Sequence, residues 1–251
     1  MKAETTAQVK QGCYSIDRCE DVAILRLGAD FFFESIDLPV SNRLFKMLDR
    51  ISRSDEVNVL VIENCPQKVG CAEYIQFCRQ VIASEFDRKS IHRVCNVFDQ
   101  LILKIVDLNK LVIHADCGEV IPIFLNISLA CDYRLVAANT VFKKPYFELG
   151  MLPKGGTVFF LCKMLGNHKT RQLLESEADI DALEALALGI VDQVLAEEEL
   201  EKAAIRLARR LSKRPLGSLL GIKRLINYSM KDLKDYLGFE SQELMRIMGA
   251  F

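Results

Sequence analysis

The groups best suited to chemistry in this sequence lie around residues 145–157. Gly155 and Gly156 directly precede an apolar segment with helical spacing. A glycine pair permits a tight entry into a helix and leaves backbone N–H groups open at the positive helix end, where an anion or a polarised oxygen can bind. Glycine pairs are also common in ordinary turns, so the surrounding elements must decide.

Cysteines and histidines give no indication of a metal site. The nine cysteines and three histidines are scattered, with no CxxC pair and no ligand spacing. We interpret the cysteines, including Cys65, Cys71 and Cys117, as small core residues. His114, at the end of an apolar run, is interpreted as a core histidine, and Asp132 as a carboxylate that fixes a turn.

Strand and helix patterns alternate through most of the chain. Apolar, β-branched runs predict strands at Asp21–Leu27, Val57–Ile62, Leu111–His114 and Tyr133–Ala137. Apolar residues at helical spacing predict helices through Val40–Ile51 and Val94–Ile105. This alternation indicates an α/β fold, in which helices pack on a sheet and position the central segment.

The C-terminal part of the chain has a different pattern. Apolar stripes at helical spacing run through Leu200–Leu211, Leu219–Ile226 and Leu233–Leu244. No strand pattern appears after about Val194. We therefore divide the chain into a core of residues 1–195 and a helical region of residues 196–251.

Charge and hydropathy exclude several classes of function. The 33 basic and 34 acidic residues give a net charge of −1, which offers no electrostatic basis for nucleic-acid binding. Residues Met1–Gln11 lack the apolar stretch of a signal peptide. The longest apolar run, Val120–Cys131, is interrupted by polar residues and is shorter than the ~20 residues that span a bilayer. We predict a soluble, cytoplasmic protein without membrane contact.

A family resemblance is carried by the segment from Leu129 to Gly166. Its matching elements are Ala130-Cys131-Asp132, Pro145 followed by Leu149-Gly150, Pro153 followed by Gly155-Gly156-Thr157, and Leu165-Gly166. In this spacing the segment resembles the core of the enoyl-CoA hydratase/isomerase (crotonase) superfamily. Residues 181–204 and 215–230 resemble later segments of that family. The resemblance implies a crotonase-like spiral of strand-strand-helix turns with a C-terminal α-helical oligomerisation region, and a homotrimer or a dimer of trimers.

The resemblance also implies a substrate and an oxyanion site. Members of the family hold an acyl-CoA or acyl-carrier thioester, so coenzyme A is part of the substrate and no other cofactor is expected. Two backbone N–H groups stabilise the enolate. By resemblance the first comes from Gly70 or Cys71, and the second from Ile123. Lys223 and Arg224 lie on the segment where the family often meets the phosphates of coenzyme A.

The sequence departs from the family where the chemistry is expected. Pro122, Ile123 and Phe124 replace a glycine triplet, and we expect the two bulky side chains to narrow or close the pocket. The three positions that carry acids in various family members are Asn126, Tyr146 and Lys154. Pro122 still suits the first position of a helix, so the Ile123 donor can survive.

Three interpretations remain open. In a decarboxylase-like enzyme, Tyr146 and Lys154 would orient the substrate acid or deliver a proton, because a decarboxylase needs no carboxylate pair. In a hydratase or isomerase with a relocated acid, Glu148 would act, with Glu119 and Glu73 as weaker candidates. In the third interpretation, the chain is a non-catalytic scaffold or acyl-carrier-binding module.

Overall fold

A computed structural model describes residues 6–64, 66–83 and 88–247. Cys65 and the first five residues, which were considered above, lie outside these ranges. The larger sheet contains β1 (Thr6–Gln11), β2 (Tyr14–Cys19), β3 (Val22–Leu27), β4 (Val59–Asn64), β5 (Leu111–Asp116), β7 (Tyr133–Ala137) and β10 (Gln193–Leu195). The smaller sheet contains β6 (Glu119–Val120), β8 (Val141–Phe142) and β9 (Ile180–Asp181).

The helices lie between and after these strands. They are α1 (Phe31–Glu34), α2 (Leu38–Arg53), α3 (Cys71–Ala83), α4 (Arg88–Val106), α5 (Pro122–Ala130), α6 (Tyr146–Leu149), α7 (Thr157–Glu175), α8 (Ala182–Ala187), α9 (Glu197–Ser212), α10 (Leu216–Tyr228) and α11 (Leu233–Ile247). In the part of the chain that the structure describes, none of them has the length and hydropathy of a membrane span.

The larger sheet has the order β1-β2-β3-β4-β5-β7-β10. Its first three strands pair antiparallel, and the pairs from β3 onward are parallel. Every residue of β4 and β5 is buried, as expected for parallel strands covered by helices on both faces. One face packs against α2, α4 and α5, and the other packs against α9.

The predicted strands and helices are confirmed in type, with shifted boundaries. The strand predicted at Val57–Ile62 begins at Val59, and the helix through Val40–Ile51 extends over Leu38–Arg53. The β1–β2 hairpin and α3 were not predicted, because short half-polar runs give no clear period. The boundary between residues 195 and 196 stays a prediction, although α9, just beyond it, packs its apolar stripe on the sheet.

One surface of the C-terminal helices is strongly apolar. Ile222, Leu225, Ile226 and Tyr228 of α10 are 54%, 77%, 59% and 73% exposed. The oligomerisation region and the homotrimer stay predictions, and this surface is where they can be tested.

Candidate active site

An apolar cavity of about 120 Å³ lies among α3, α4, α5, α6 and the end of α11. Apolar wall residues include Phe32, Tyr74, Phe77, Phe98, Leu149 and Leu244. The polar side chains that reach it are Asp99, Asn126, Tyr146 and Lys154. An apolar space with a few polar groups at one side suits a ligand with a long hydrocarbon part and a polar end.

The start of α5 presents a backbone donor to this cavity. Pro122 occupies the first position of the helix, and the N–H groups of Phe124 and Leu125 donate to the oxygen of Ile121 at 3.0 and 3.1 Å. Among the hydrogen bonds of the described residues, none uses the N–H of Ile123, which lines the cavity. This amide is therefore available at the positive end of a helix.

The Phe124 side chain does not lie in the pocket, where the sequence predicts it. Its side chain is fully buried in the core, with its ring centroid 6.4 Å from that of Phe31, and it does not line the cavity. Neighbouring helical residues point about 100° apart, and here the Phe124 side chain is directed into the core while Ile123 lines the cavity. The expectation that both side chains narrow or close the pocket is wrong for Phe124 and for closure: the cavity is present, and of the three residues at the glycine-triplet positions Pro122 and Ile123 line it.

Asn126 is buried at the position where the resemblance places an acid, and both ends of its amide are hydrogen-bonded. Its Nδ2 donates to the main-chain oxygen of Lys154 at 2.6 Å, and its Oδ1 accepts from Thr157 Oγ1 at 2.5 Å. Gly155, with φ of +77°, lies so close that any Cβ there would overlap the Asn126 amide. An ionised carboxylate cannot donate, so it could not replace this amide without placing two acceptors in contact.

Lys154 has carboxylates on two sides. Its Nζ lies 2.8 and 2.6 Å from the two carboxylate oxygens of Asp99 and 3.7 Å from Glu240. Glu240 also accepts from the N–H of Gly156 at 3.2 and 3.1 Å. Asp99 comes from α4 and Glu240 from α11, so distant parts of the chain meet at this point.

The acid–base properties of these carboxyls follow from their burial. Burial raises the pKa of Asp99, and the Lys154 ammonium opposes that rise. Burial raises the pKa of Glu240 to about 7, again against the effect of Lys154 and the Gly156 N–H. Two buried carboxyls beside one ammonium therefore provide a group that can exchange protons near neutral pH.

Sequence reasoning missed Asp99 and Glu240, yet a signal was present. Asp99 lies in the helical stripe of Cys95, Phe98 and Ile102, and Glu240 lies between Leu237 and Leu244 at the same spacing. An acidic residue inside an apolar stripe must find a buried partner or face a cavity.

Tyr146 and Glu148 lie in different environments, although both are candidate catalytic residues in the sequence analysis. Tyr146 is buried at the cavity, where desolvation raises the pKa of its hydroxyl, and that hydroxyl makes no hydrogen bond of ordinary geometry within the described residues. Glu148 does not line the cavity, is 51% exposed, and pairs with Arg79 at 2.8 Å. Residues two apart on a helix point about 200° apart, which explains the separation.

The segment predicted to supply the first oxyanion-hole amide, Gly70 and Cys71, lies outside the cavity wall. The N–H of Gly70 donates to Glu73 at 2.7 Å, and the N–H of Cys71 donates to Glu119 at 2.8 Å. Neither Gly70 nor Cys71 lines the cavity. Their oxyanion role stays a prediction, and it would require displacement of both carboxylates.

A buried ion pair holds the loop before α3. Lys68 Nζ lies 2.8 Å from Asp116, with the two side chains 2% and 1% exposed, and it also donates to the oxygen of Cys117. The ammonium lies 5.9 Å from the ring centroid of Phe124. The loop that follows β4 is thereby fixed beside the first turn of α5.

The prediction that Lys223 binds a phosphate is wrong. Its ammonium is buried and donates to Asp132 and to the main-chain oxygen of Lys110, both at 2.8 Å. Arg224 is exposed, and its phosphate role stays a prediction. The structural role of Asp132 is confirmed, since it also accepts from the N–H of Val112 at 2.7 Å.

The remaining polar residues behave as core residues. His114 is fully buried, and burial lowers its pKa to about 4. Burial raises the pKa of the Cys117 thiol to about 11, and it also raises that of Cys71, so neither is a thiolate at neutral pH. Within residues 6–64, 66–83 and 88–247, His, Cys, Asp and Glu side chains form no cluster that could hold a metal ion.

The site is thus an apolar cavity beside the first turn of α5, in a fold whose mixed sheet has helices on both faces. Residues 22–245 match the sequence profile of the Enoyl-CoA hydratase/isomerase family. The match spans most of the chain, and the protein therefore belongs to this family. Its function is accordingly of the enoyl-CoA hydratase/isomerase type.

Individual relatives are consistent with this assignment. The trans-2-decenoyl-[acyl-carrier-protein] isomerase of Streptococcus mutans is 27% identical over 219 residues, which cover 86% of this chain and 81% of that protein. The short-chain-enoyl-CoA hydratase of Clostridium acetobutylicum is 33% identical over 137 residues, 54% of this chain and 52% of that protein.

Solved structures establish the fold. An enoyl-CoA hydratase from Bacillus halodurans superposes with a TM-score of 0.82 at 18% identity, over 94% of this chain and 95% of that one. A putative enoyl-CoA hydratase/isomerase from Acinetobacter baumannii gives 0.76 at 21% identity, over 96% and 95%. The predicted crotonase-like α/β core with C-terminal helices is confirmed.

Proposed function

We propose that the protein isomerises an enoyl thioester, moving the double bond along an acyl chain that occupies the apolar cavity. One observation carries the proposal. Ile123, whose N–H makes no hydrogen bond among the described residues, and the Asp99–Lys154 ion pair line the same cavity. The amide would stabilise the enolate oxygen of the thioester, and an adjacent carboxyl would move the proton. Coenzyme A or an acyl carrier would belong to the substrate.

Isomerisation fits the site better than hydration. A two-carboxylate hydratase needs acids at the positions held here by Asn126 and Tyr146, and the Asn126 amide is already committed to Lys154 and Thr157. An isomerase needs one group that accepts a proton and returns it. The isomerase relative, which matches over 86% of this chain, supports the same reaction.

The proposal is tested with trans-2-decenoyl-CoA and the same acyl group on an acyl carrier protein. We expect formation of a 3-decenoyl thioester of unchanged mass, detected by liquid chromatography and mass spectrometry. A product heavier by one water would indicate a hydratase instead. Stabilisation of the protein by the thioester without any product would support the non-catalytic alternative, in which the chain only binds the thioester or its carrier.

A second candidate reaction is decarboxylation. The Tyr146 hydroxyl, buried at the cavity beside Thr157, could orient a substrate carboxylate. Lys154, the other residue predicted for this reaction, is already paired with Asp99. Release of CO₂ from malonyl- or methylmalonyl-CoA above the uncatalysed rate would favour this candidate over isomerisation.

A further inference from the structure

Three charged side chains from separate segments meet at one wall of the cavity. Lys154 Nζ lies 2.6 Å from Asp99 and 3.7 Å from Glu240. The side chains of Asp99 and Glu240 are only 10% and 7% exposed. A buried cluster with one ammonium and two carboxyls is costly unless its members are held firmly or serve a reaction.

Asp99 is the carboxylate of this cluster that lines the cavity, as do Lys154 and Ile123. Glu240 lies on the other side of the ammonium, anchored by the N–H of Gly156. We propose that Asp99 is the catalytic acid–base group and that Lys154 and Glu240 are positioning residues. The inference rests on the proposed isomerase function, and it assigns the acid to helix α4 instead of the positions where the family resemblance places one.

The proposed step balances without a further reactant. The Asp99 carboxylate removes a proton from C4 of the 2-enoyl thioester, and the electron pair of that bond forms the C3=C4 double bond. The C2=C3 electrons move to the C1–C2 bond, and the carbonyl oxygen becomes an enolate oxygen at the N–H of Ile123. The carboxylic acid of Asp99 then returns the proton to C2, which restores the carbonyl and the ionised Asp99.

Glu240 gives this arrangement a dependence on pH. The titratable and charged groups that face Glu240 come from several parts of the chain. They are Lys154 in the turn before α7, Asp99 and Cys95 on α4, Tyr146 on α6, and Tyr236 on α11. The pKa of Glu240 is raised to about 7 by burial. As Glu240 ionises above that pH, it competes for the Lys154 ammonium. Asp99 then becomes a stronger base, so the rate is expected to rise.

Other carboxylates do not fit the role. Glu148 is on the surface with Arg79. Glu73 and Glu119 are bonded to the amides of Gly70 and Cys71, which lie outside the cavity wall. Glu148 therefore supplies a matched control, because its replacement also removes one carboxylate but leaves the residues of the cavity wall unchanged.

The experiment compares wild type, Asp99→Asn, Glu240→Gln and Glu148→Gln with the 2-enoyl thioester that wild type accepts. Circular dichroism and thermal shift with the thioester establish folding and binding for each variant. We expect Asp99→Asn to bind the thioester and to lose about 10²–10⁴-fold in kcat. Glu148→Gln should retain the wild-type rate. Glu240→Gln should abolish the rise in rate near pH 7, which a purely structural role would leave in place.

The outcomes separate the two proposals. Turnover by wild type and equal turnover by a folded Asp99→Asn variant overturn the assignment of Asp99 and leave the isomerase function standing. An unchanged pH profile in Glu240→Gln overturns the role of Glu240. If Asp99→Asn fails to fold, Asp99→Ser replaces it, and wild-type kcat in that folded variant without a carboxyl overturns the assignment. Binding without turnover by wild type overturns both proposals.

Discussion

The side-chain amide of Asn126 donates to the main-chain oxygen of Lys154 at 2.6 Å. The resemblance places an acid at the first position in the usual family pattern and at the second in some isomerases, and here the first position is an amide that holds the backbone of the second. The contact holds the backbone of the turn before α7, and the ammonium of the same Lys154 pairs with Asp99. The departure from the family pattern is therefore a coupled rearrangement of two positions.

Replacing Asn126 by Asp tests this coupling. The carboxylate cannot donate to the Lys154 oxygen, so that oxygen loses its shorter hydrogen bond, keeps the 3.3 Å one with Thr157 Oγ1, and meets a negative charge. We expect the free energy of unfolding to fall by roughly 1–3 kcal/mol, measured by urea denaturation at pH 7. Asn167→Asp is the matched control, since Asn167 is exposed on α7. An equal effect of the two changes would contradict the proposed coupling.

Position 155 requires glycine for two reasons: its φ is positive, and the neighbouring Asn126 leaves no room for a Cβ. Both Gly155 and Gly166 have φ of +77°, but a Cβ at Gly155 would overlap Asn126, while none of the described atoms lies within 4 Å of a Cβ at Gly166. We expect Gly166→Ala to cost about 1 kcal/mol from backbone strain, and Gly155→Ala to cost clearly more. Urea denaturation of the two variants measures the difference, and equal losses would refute the close contact.

The oxyanion role of Ile123 can be tested through its amide. Ile123→Pro removes the N–H, and the first turn of a helix tolerates proline because its N–H groups have no partner within the helix. We expect kcat for the enoyl thioester to fall about 10²–10³-fold. Ile123→Val keeps the amide and should retain most of the activity. A folded Ile123→Pro variant with normal kcat would exclude this donor.

Burial of His114 makes the folding stability of the protein depend on pH. Both ring nitrogens are buried without a hydrogen-bond partner among the described residues, and the pKa is lowered to about 4 from 6.5. The unfolded chain takes up the proton below pH 6.5, whereas the folded chain remains neutral until about pH 4. Folding stability supplied by the neutral form is therefore complete above pH 6.5 and is lost as the pH falls toward 4.

A His114→Met variant should show no such loss. We expect its free energy of unfolding at pH 7 to equal or exceed that of wild type, because no buried ring nitrogen is left unpaired. Between pH 7 and 5 the wild type should lose stability relative to the variant, as measured by urea denaturation at both values. Parallel decreases in the two proteins would show that His114 titrates normally.

The fold was largely predictable because local patterns determine it. The β-branched runs of β5 and β7, and the apolar stripe of α9, are periodic enough to be identified alone. The N-terminal hairpin was missed because its strands combine polar and apolar residues without clear alternation.

The site was less predictable than the fold. Tyr146, Lys154, Ile123 and Asn126 were named because a motif places them, and all four line the cavity. Asp99 and Glu240 belong to no motif, and only the tertiary packing of α4 and α11 shows that they meet. Lys223 was misjudged for the same reason, since its partner Asp132 is 91 positions away in the sequence.

The contact of Glu240 with Gly156 spans 84 positions of the chain, and the contact of Lys154 with Asp99 spans 55. Contacts of such separation form late, because a long loop must close before they are gained. The acid cluster is therefore completed by the packing of α11 and α4 around Lys154, and the local segment that carries Lys154 cannot assemble it alone.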